Sequence, residues 1–157
     1  MREIDFYYLW VLFSQTRDAI VKVRERELQS YGISERHSQL LFIIKLIGRD
    51  ATPAGIARWL FREPHSISEI LNRMEKQGLI RKVKDLKRKN QVRIEITEKG
   101  EDQYRRSFIP RNIPDTFSKL SEGEQRQFVA ILMKLRETAI EDISSRLEVP
   151  LPPMEGQ

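Results

Sequence analysis

The stretch SISEILNRMEKQGLI, residues 66–80, decides the fold of this chain. Its apolar residues recur at the spacing of one face of an α-helix, and Gly78 follows as a helix stop. Pro64 stands where a helix can begin without loss of a hydrogen-bond donor. The apolar positions are Ile67, Ile70, Leu71 and Met74, and the opposite face carries His65, Ser66, Ser68, Glu69, Asn72 and Arg73. Short or forked hydrogen-bonding side chains of this kind can read base edges or hold phosphates.

A second short helix is predicted just before this one. Thr52 is placed to cap it, and Pro53 occupies its first position. Its inward residues are Ile56, Ala57 and Leu60, and residues 61–63 form a turn. Two short helices joined by such a turn can present the second one in a DNA major groove. The pattern therefore predicts a helix-turn-helix, with Thr52 as a further candidate DNA contact.

The period of the sequence changes after Gly78. Val92, Ile94 and Ile96 alternate with polar residues, which predicts a half-buried strand paired with residues 79–84. The segment 81–93 holds seven Lys or Arg against one Asp, so its net charge is +6 in a chain of net charge +5. The loop 85–90 between the strands is predicted to project beside the helix as a wing. Phosphates and a narrow minor groove attract the cations at its tip, which are Lys87, Arg88 and Lys89.

Longer helices are predicted on both sides of this unit. The first is apolar on more than one side and ends at Gly32, a pattern typical of a helix buried between two partners. Further helix starts are predicted at Ser34 and Thr97, and Ser121 with Glu124 has the spacing of a capping box.

Proline residues mark the expected irregular segments. Pro110 and Pro114 are predicted to leave residues 111–118 as a connection before the last helix. Residues 148–157, rich in proline, are expected to form a flexible tail.

The composition excludes several classes of protein. The 157 residues include no cysteine and two histidines, which excludes thiol chemistry and argues against a transition-metal sensor. No apolar run approaches the roughly 18 residues of a membrane span, and the N-terminus does not resemble a signal peptide. We therefore expect a cytoplasmic protein with no membrane partner. No nucleophile elbow or Gly-rich phosphate loop supports catalysis, so we expect neither enzyme activity, cofactor nor metal.

The quoted stretch and its surroundings resemble the MarR family of bacterial and archaeal winged-helix transcription regulators. Residues 66–80 are similar to the family's recognition helix and its Gly-Leu-Ile exit, and IEITEKG, residues 94–100, is similar to the segment that closes the wing. The resemblance implies a mainly α fold with a small antiparallel β wing. It divides the chain into a winged helix-turn-helix domain, residues 33–107, and a helical dimerisation region, residues 1–32 and 108–147.

The resemblance also implies a function. It implies a sequence-specific regulator, a repressor or an activator, that binds double-stranded DNA at an inverted repeat as a homodimer. The DNA contacts would be Thr52, His65, Ser66, Ser68, Glu69, Asn72, Arg73, Lys87, Arg88 and Lys89. A small aromatic or acidic effector would release the protein from DNA, and candidate residues for binding it are Tyr8, Trp10, Arg17 and His37.

Two positions of the wing and one of the predicted recognition helix, Glu69, depart from the family pattern. The wing keeps Asp85 but carries Arg88 where relatives have a second Asp, and Lys89 where they have Arg. We therefore expect a wing that depends on general charge more than on one inserted side chain, because Lys lacks the forked geometry of Arg. Glu69 is expected to accept a hydrogen bond from a cytosine amino group or to pair with Arg73.

An alternative function is a winged-helix module that binds an acidic protein partner through its basic wing. The hydrogen-bonding face of residues 65–73 argues against this alternative, since an acidic partner requires only charge.

Overall fold

The computed structural model describes residues 5–85 and 91–143 of the protein. The described helices are α1 Phe6–Ser30, α2 Glu35–Ile47, α3 Pro53–Trp59, α4 Pro64–Lys76, α5 Glu98–Arg106, α6 Asn112–Phe117 and α7 Glu122–Ile143. A 3₁₀ turn, Gly48–Asp50, separates α2 from α3, and strands β1 Ile80–Asp85 and β2 Gln91–Ile96 lie between α4 and α5. The mainly helical fold with a small β wing is thereby confirmed. The tip of the wing and the predicted tail lie outside the described residues.

The predicted helix starts are confirmed by hydrogen bonds. Each capping side chain accepts from a backbone N–H of the first turn, which has no partner inside the helix. The bonds are His37 N to Ser34 Oγ at 3.5 Å, Gly55 N to Thr52 Oγ1 at 3.1 Å, and Gly100 N to Thr97 Oγ1 at 3.1 Å. The capping box also forms, with Ser121 N donating to Glu124 Oε2 at 2.8 Å and Glu124 N to Ser121 Oγ at 3.4 Å.

The prediction that residues 111–118 form an irregular connection was wrong, because α6 spans most of this segment. Pro114 is the third residue of α6, in the first turn, where the missing N–H removes no helical hydrogen bond. The Glu27 carboxylate of α1 also accepts from the N–H groups of Arg111 and Asn112, at 3.0 and 3.2 Å. A distant side chain therefore stabilises the start of a helix that local sequence disfavours.

The strands pair antiparallel, with Ile80 opposite Ile96 and Asp85 opposite Gln91. β1 begins one residue later than predicted because Leu79 takes part in the C-terminal cap that follows α4. Gly78 adopts a φ of 73°, and Leu79 N donates to Met74 O at 2.9 Å, which together form a Schellman ending.

The main core lies within the winged helix-turn-helix segment. α2, α3, α4 and both strands contribute to it, and Ile94 N also donates to Ala51 O at 2.8 Å, which ties β2 to the α2–α3 connection. Its largest fully buried side chains are Leu40, Leu41, Ile43, Ile56, Leu71, Met74, Leu79, Ile80 and Ile94.

The long helices α1 and α7 present apolar side chains to solvent within the single chain. Phe6, Tyr7 and Trp10 are 80%, 81% and 65% exposed, and α7 contains no buried residue. α1 buries only Leu28. Among the described residues, no helix combines the length and the apolar character that crossing a membrane requires.

Gly100 lies where α5 approaches the end of α4. A Cβ atom there would stand 2.0 Å from the carbonyl oxygen of Leu79 and 2.7 Å from Cγ2 of Ile96. The contact is with backbone, which cannot rotate away as a flexible side chain does. Glycine is therefore required at this position for close packing.

We predict that Gly100→Ala lowers the free energy of unfolding by about 1–3 kcal/mol, because the added methyl group overpacks the Leu79 carbonyl. The control is Gly123→Ala in α7, where a Cβ atom meets nothing within 4 Å. That substitution should stabilise the protein by about 0.4–1 kcal/mol, since alanine loses less backbone entropy on folding. Urea unfolding at one fixed protein concentration measures both, and equal shifts would contradict the packing argument.

Candidate nucleic-acid interface

The packing of α4 determines which of its side chains face solvent. Ile67, Ile70, Leu71 and Met74 are buried in the core, so the opposite side of the helix is turned outward. On that side His65, Glu69, Asn72 and Arg73 are exposed, and Ser66 and Ser68 are partly exposed. The six predicted contacts on α4 therefore share one outward surface of hydrogen-bonding groups.

Two of the serines are engaged locally. Ser68 Oγ donates to Pro64 O at 2.9 Å, and Ser66 Oγ lies 3.5 Å from His65 Nε2. Thr52, at the start of α3, uses its Oγ1 to cap that helix. These hydroxyls keep a lone pair for a further partner, because a hydroxyl oxygen can accept two hydrogen bonds.

Lys82 on β1 joins the second half of α4 to the wing. Its ammonium donates to Asn72 Oδ1 and lies 3.3 Å from Glu75 Oε2, and its backbone N–H donates to Glu75 Oε1 at 3.0 Å. The sequence analysis did not identify this residue as part of the site. Only the strand register, which places Lys82 opposite Ile94, brings it beside α4.

Carboxylates neutralise much of the positive charge at the base of the wing. Arg81 Nε donates to Glu95 Oε2 at 2.8 Å, and Arg93 donates to Glu95 Oε1. The hydrogen bond from Arg81 holds the pKa of Glu95 below its ordinary value, and Arg93 adds to the effect. Lys82 is paired as well, so Arg81, Lys82 and Arg93 at the base of the wing are each held by a carboxylate. Lys87, Arg88 and Lys89 lie outside the described residues.

The expected pairing of Glu69 with Arg73 is not among the ion pairs of the described residues. Arg73 instead lines a groove of about 690 Å³ between α4 and the α1–α2 junction, together with His37, Arg36, Glu35 and Glu25. Burial lowers the pKa of His37, and the charges of Arg73 and Arg36 lower it further. Burial raises the pKa of Glu35, and Glu25 adds to this rise.

The four candidate effector residues are not brought together within one chain. Tyr8 and Trp10 are exposed in the first turns of α1, and Arg17 forms a 2.8 Å ion pair with Asp18 in the middle of the helix. His37 lies near Gln29 at the opposite end of α1. Residues 8 and 29 of a straight helix are roughly 30 Å apart, at 1.5 Å per residue. Within the described residues, no cluster of three or more His, Cys, Asp or Glu side chains could hold a metal ion.

The fold and this surface define a winged helix-turn-helix protein with a candidate nucleic-acid interface. Comparisons with known protein families and solved structures support this class. A model of the winged helix DNA-binding domain matches residues 33–100. The organohalide-sensing transcriptional regulator RdhR-CbdbA1625, bound to 2,4-dichlorophenol, is 30% identical with a TM-score of 0.83, covering 96% of this chain and 91% of that one. Its ligand-free form is 31% identical with a TM-score of 0.81, covering 97% and 91%.

Two more distant structures share the fold. MepR of S. aureus, in complex with DNA, is 22% identical with a TM-score of 0.71, covering 87% of this chain and 99% of that one. A MarR-family regulator from Rhodococcus sp. RHA1 is 16% identical with a TM-score of 0.72, covering 85% and 97%. A comparison with curated protein sequences gave no match. The chain belongs to the MarR family of winged-helix transcriptional regulators, and it is a regulator and not an enzyme.

Proposed function

We propose that the protein represses transcription as a homodimer that inserts α4 of each subunit into the major groove of an inverted-repeat operator. The observation that carries this proposal is the outward polar face of α4, held in one orientation by its four buried apolar residues. Two-fold symmetry then requires half-sites about one helical turn, ~34 Å, apart. The protein acts in the cytoplasm, where its operator DNA lies.

The proposed base and phosphate contacts come from α4, the start of α3 and the wing. They are Thr52, His65, Ser66, Ser68, Glu69, Asn72 and Arg73, with Lys87, Arg88 and Lys89 on the wing tip. MepR, of the same fold, has been crystallised with DNA, which supports this use of the fold. Asn72 and Glu75 fix the base of the wing through Lys82, so α4 and the wing approach DNA as one body.

The dimer is supported by the apolar surface of α1. Phe6 and Trp10 lie on one side of the helix and Tyr8 and Leu12 on another, and all four are exposed in the single chain. Soluble proteins rarely leave such a continuous apolar surface uncovered. We propose that α1 and α7 of the two subunits cover one another, with residues 1–32 and 108–147 as the dimerisation region and 33–107 as the DNA-binding domain.

A small aromatic or acidic effector is proposed to release the dimer from DNA. RdhR-CbdbA1625, at 30% identity, has been crystallised with 2,4-dichlorophenol, a ligand of this chemical class. Because Tyr8 and Trp10 are far from His37 along α1, a pocket containing all four candidates must include residues from both subunits. The effector can act only if it binds one spacing of the two α4 helices better than another.

We predict that binding to a duplex of random sequence depends steeply on salt. If each dimer neutralises six to ten phosphates, affinity should fall ~10³–10⁵-fold between 50 and 200 mM salt. Fluorescence anisotropy of a labelled duplex measures this loss. An affinity that changes little over this range would contradict DNA binding and would favour the acidic-protein alternative.

We predict that Arg73→Ala weakens DNA binding roughly 5- to 150-fold, the loss expected for one base or phosphate contact of about 1–3 kcal/mol. Arg105→Ala is the matched control, because Arg105 is also an exposed helical arginine but lies on α5. The control should change affinity little in the same anisotropy assay. Equal losses from the two variants would show that α4 is not the recognition helix.

Leu9 and Phe13 are exposed apolar residues one turn apart on α1, and we predict that the double substitution Leu9→Glu and Phe13→Glu dissociates the dimer. Each buried large apolar side chain contributes about 1.5–3 kcal/mol, so the dissociation constant should rise roughly 10²–10⁴-fold. Gln15→Glu, which adds a charge to the same helix without removing an apolar contact, is the control. Sedimentation equilibrium measures the change, and an unaltered dimer would exclude α1 from the interface.

A further inference from the structure

The groove between α2 and α4 has a charge that depends on a single proton. Arg36 and Arg73 contribute two positive charges to its lining, and Glu25 and Glu35 contribute two negative ones. The fifth titratable group of the lining is the half-buried His37, at the start of α2. The lining is therefore neutral when His37 is neutral and has a charge of +1 when His37 is protonated.

The groups around His37 come from each helix that lines the groove. α1 contributes Glu25, which is already paired with Lys22 at 3.1 Å, and α4 contributes Arg73. α2 contributes Glu35 and Arg36, the two residues that directly precede His37. Burial lowers the pKa of His37 and the two arginines lower it further, so an additional anion in the groove would favour the protonated form.

The position of the groove identifies that anion. Arg73 belongs both to the groove and to the outward face of α4 that is proposed to enter DNA, so the groove opens beside the recognition surface. The strands of DNA that border a major groove present a phosphate at every nucleotide, and forked guanidinium groups bind phosphate well.

We propose that this groove receives a backbone phosphate of the bound DNA, held by Arg36, Arg73 and protonated His37. The proposal rests on the DNA-binding function proposed above and adds two residues, Arg36 and His37, to the interface. It also makes DNA binding proton-linked. A phosphate raises the pKa of His37 from its lowered value in the free protein, so each groove takes up a proton on binding. Affinity for DNA then increases as the pH falls.

Anisotropy with a random-sequence duplex about three helical turns long, at constant ionic strength, tests the linkage. Between about pH 8 and pH 5.5, on either side of the ordinary histidine pKa of about 6.5, the association constant of the wild type should rise as the pH falls. The slope of its logarithm against pH should approach one proton per groove. His37→Gln should remove most of this slope, whereas Glu122→Gln on α7, outside the proposed interface, should retain it.

Two charge variants test the same groove without titration. Glu35→Gln at pH 7.5 should tighten DNA binding by roughly fivefold per groove, because it removes the repulsion between one carboxylate and the phosphate. Two unit charges at contact distance in water interact with about this strength. The control is Glu122→Gln on α7, which removes an equal charge far from the groove. It should change the affinity for DNA by less than twofold, because salt screens the interaction between the DNA and a distant surface charge. The logarithm of the association constant falls linearly with the logarithm of the salt concentration, and Arg36→Ala should make this slope shallower by about one per subunit. Arg105→Ala should leave the slope unchanged.

The outcomes separate the two proposals. If no duplex binds at any pH, the proposed function is wrong. If the duplex binds but the pH dependence survives His37→Gln and Glu35→Gln binds no better than Glu122→Gln, the phosphate site is wrong and the function stands. If these variants change the binding of 2,4-dichlorophenol and leave DNA affinity unaltered, the groove is an effector site and the phosphate proposal is overturned.

Discussion

The burial of Ile67, Ile70, Leu71 and Met74 against α2 and α3 is the contact on which the structure depends. A helix with one apolar stripe has only one rotation about its axis that buries that stripe. The same rotation turns the serines, Asn72 and Arg73 outward. The recognition surface is therefore a consequence of core packing, and a change inside the core would rotate or loosen the side chains that read DNA.

Ion pairs determine how the positive charge of the wing is distributed. Lys82 and the arginines at the base of the wing are held by Glu75 and Glu95, which stiffens the hairpin where it leaves the core. A concentrated segment of like charge would otherwise repel itself. The sequence places three further cations at residues 87–89, and the lining of the groove beside α4 changes from neutral to a charge of +1 when His37 is protonated.

Local sequence signals predicted most of the fold. The features that the sequence did not predict depend on tertiary contacts. Caps at Ser34, Thr52 and Thr97 involve residues within three positions of one another, so sequence alone reveals them. The helix α6 depends on Glu27, which no local pattern connects to Asn112. Lys82 and the groove around His37 likewise require the strand register and the packing of α2 on α4. The candidate contacts on α4 were predictable because helical periodicity alone fixes their common face.

The α1–α2 junction links the two halves of the molecule mechanically. Leu28 and Ile33 are buried there, and Ile33 N donates to Leu28 O at 3.0 Å, so the end of α1 cannot move without moving the start of α2. The groove with His37 and Arg73 lies at this junction. If α1 is clamped in a dimer, any ligand that shifts the dimer helices must displace one wall of the groove relative to α4. A ligand bound between the subunits would thus displace the recognition helix through the few packed residues of this junction, and no helix or strand would have to unfold.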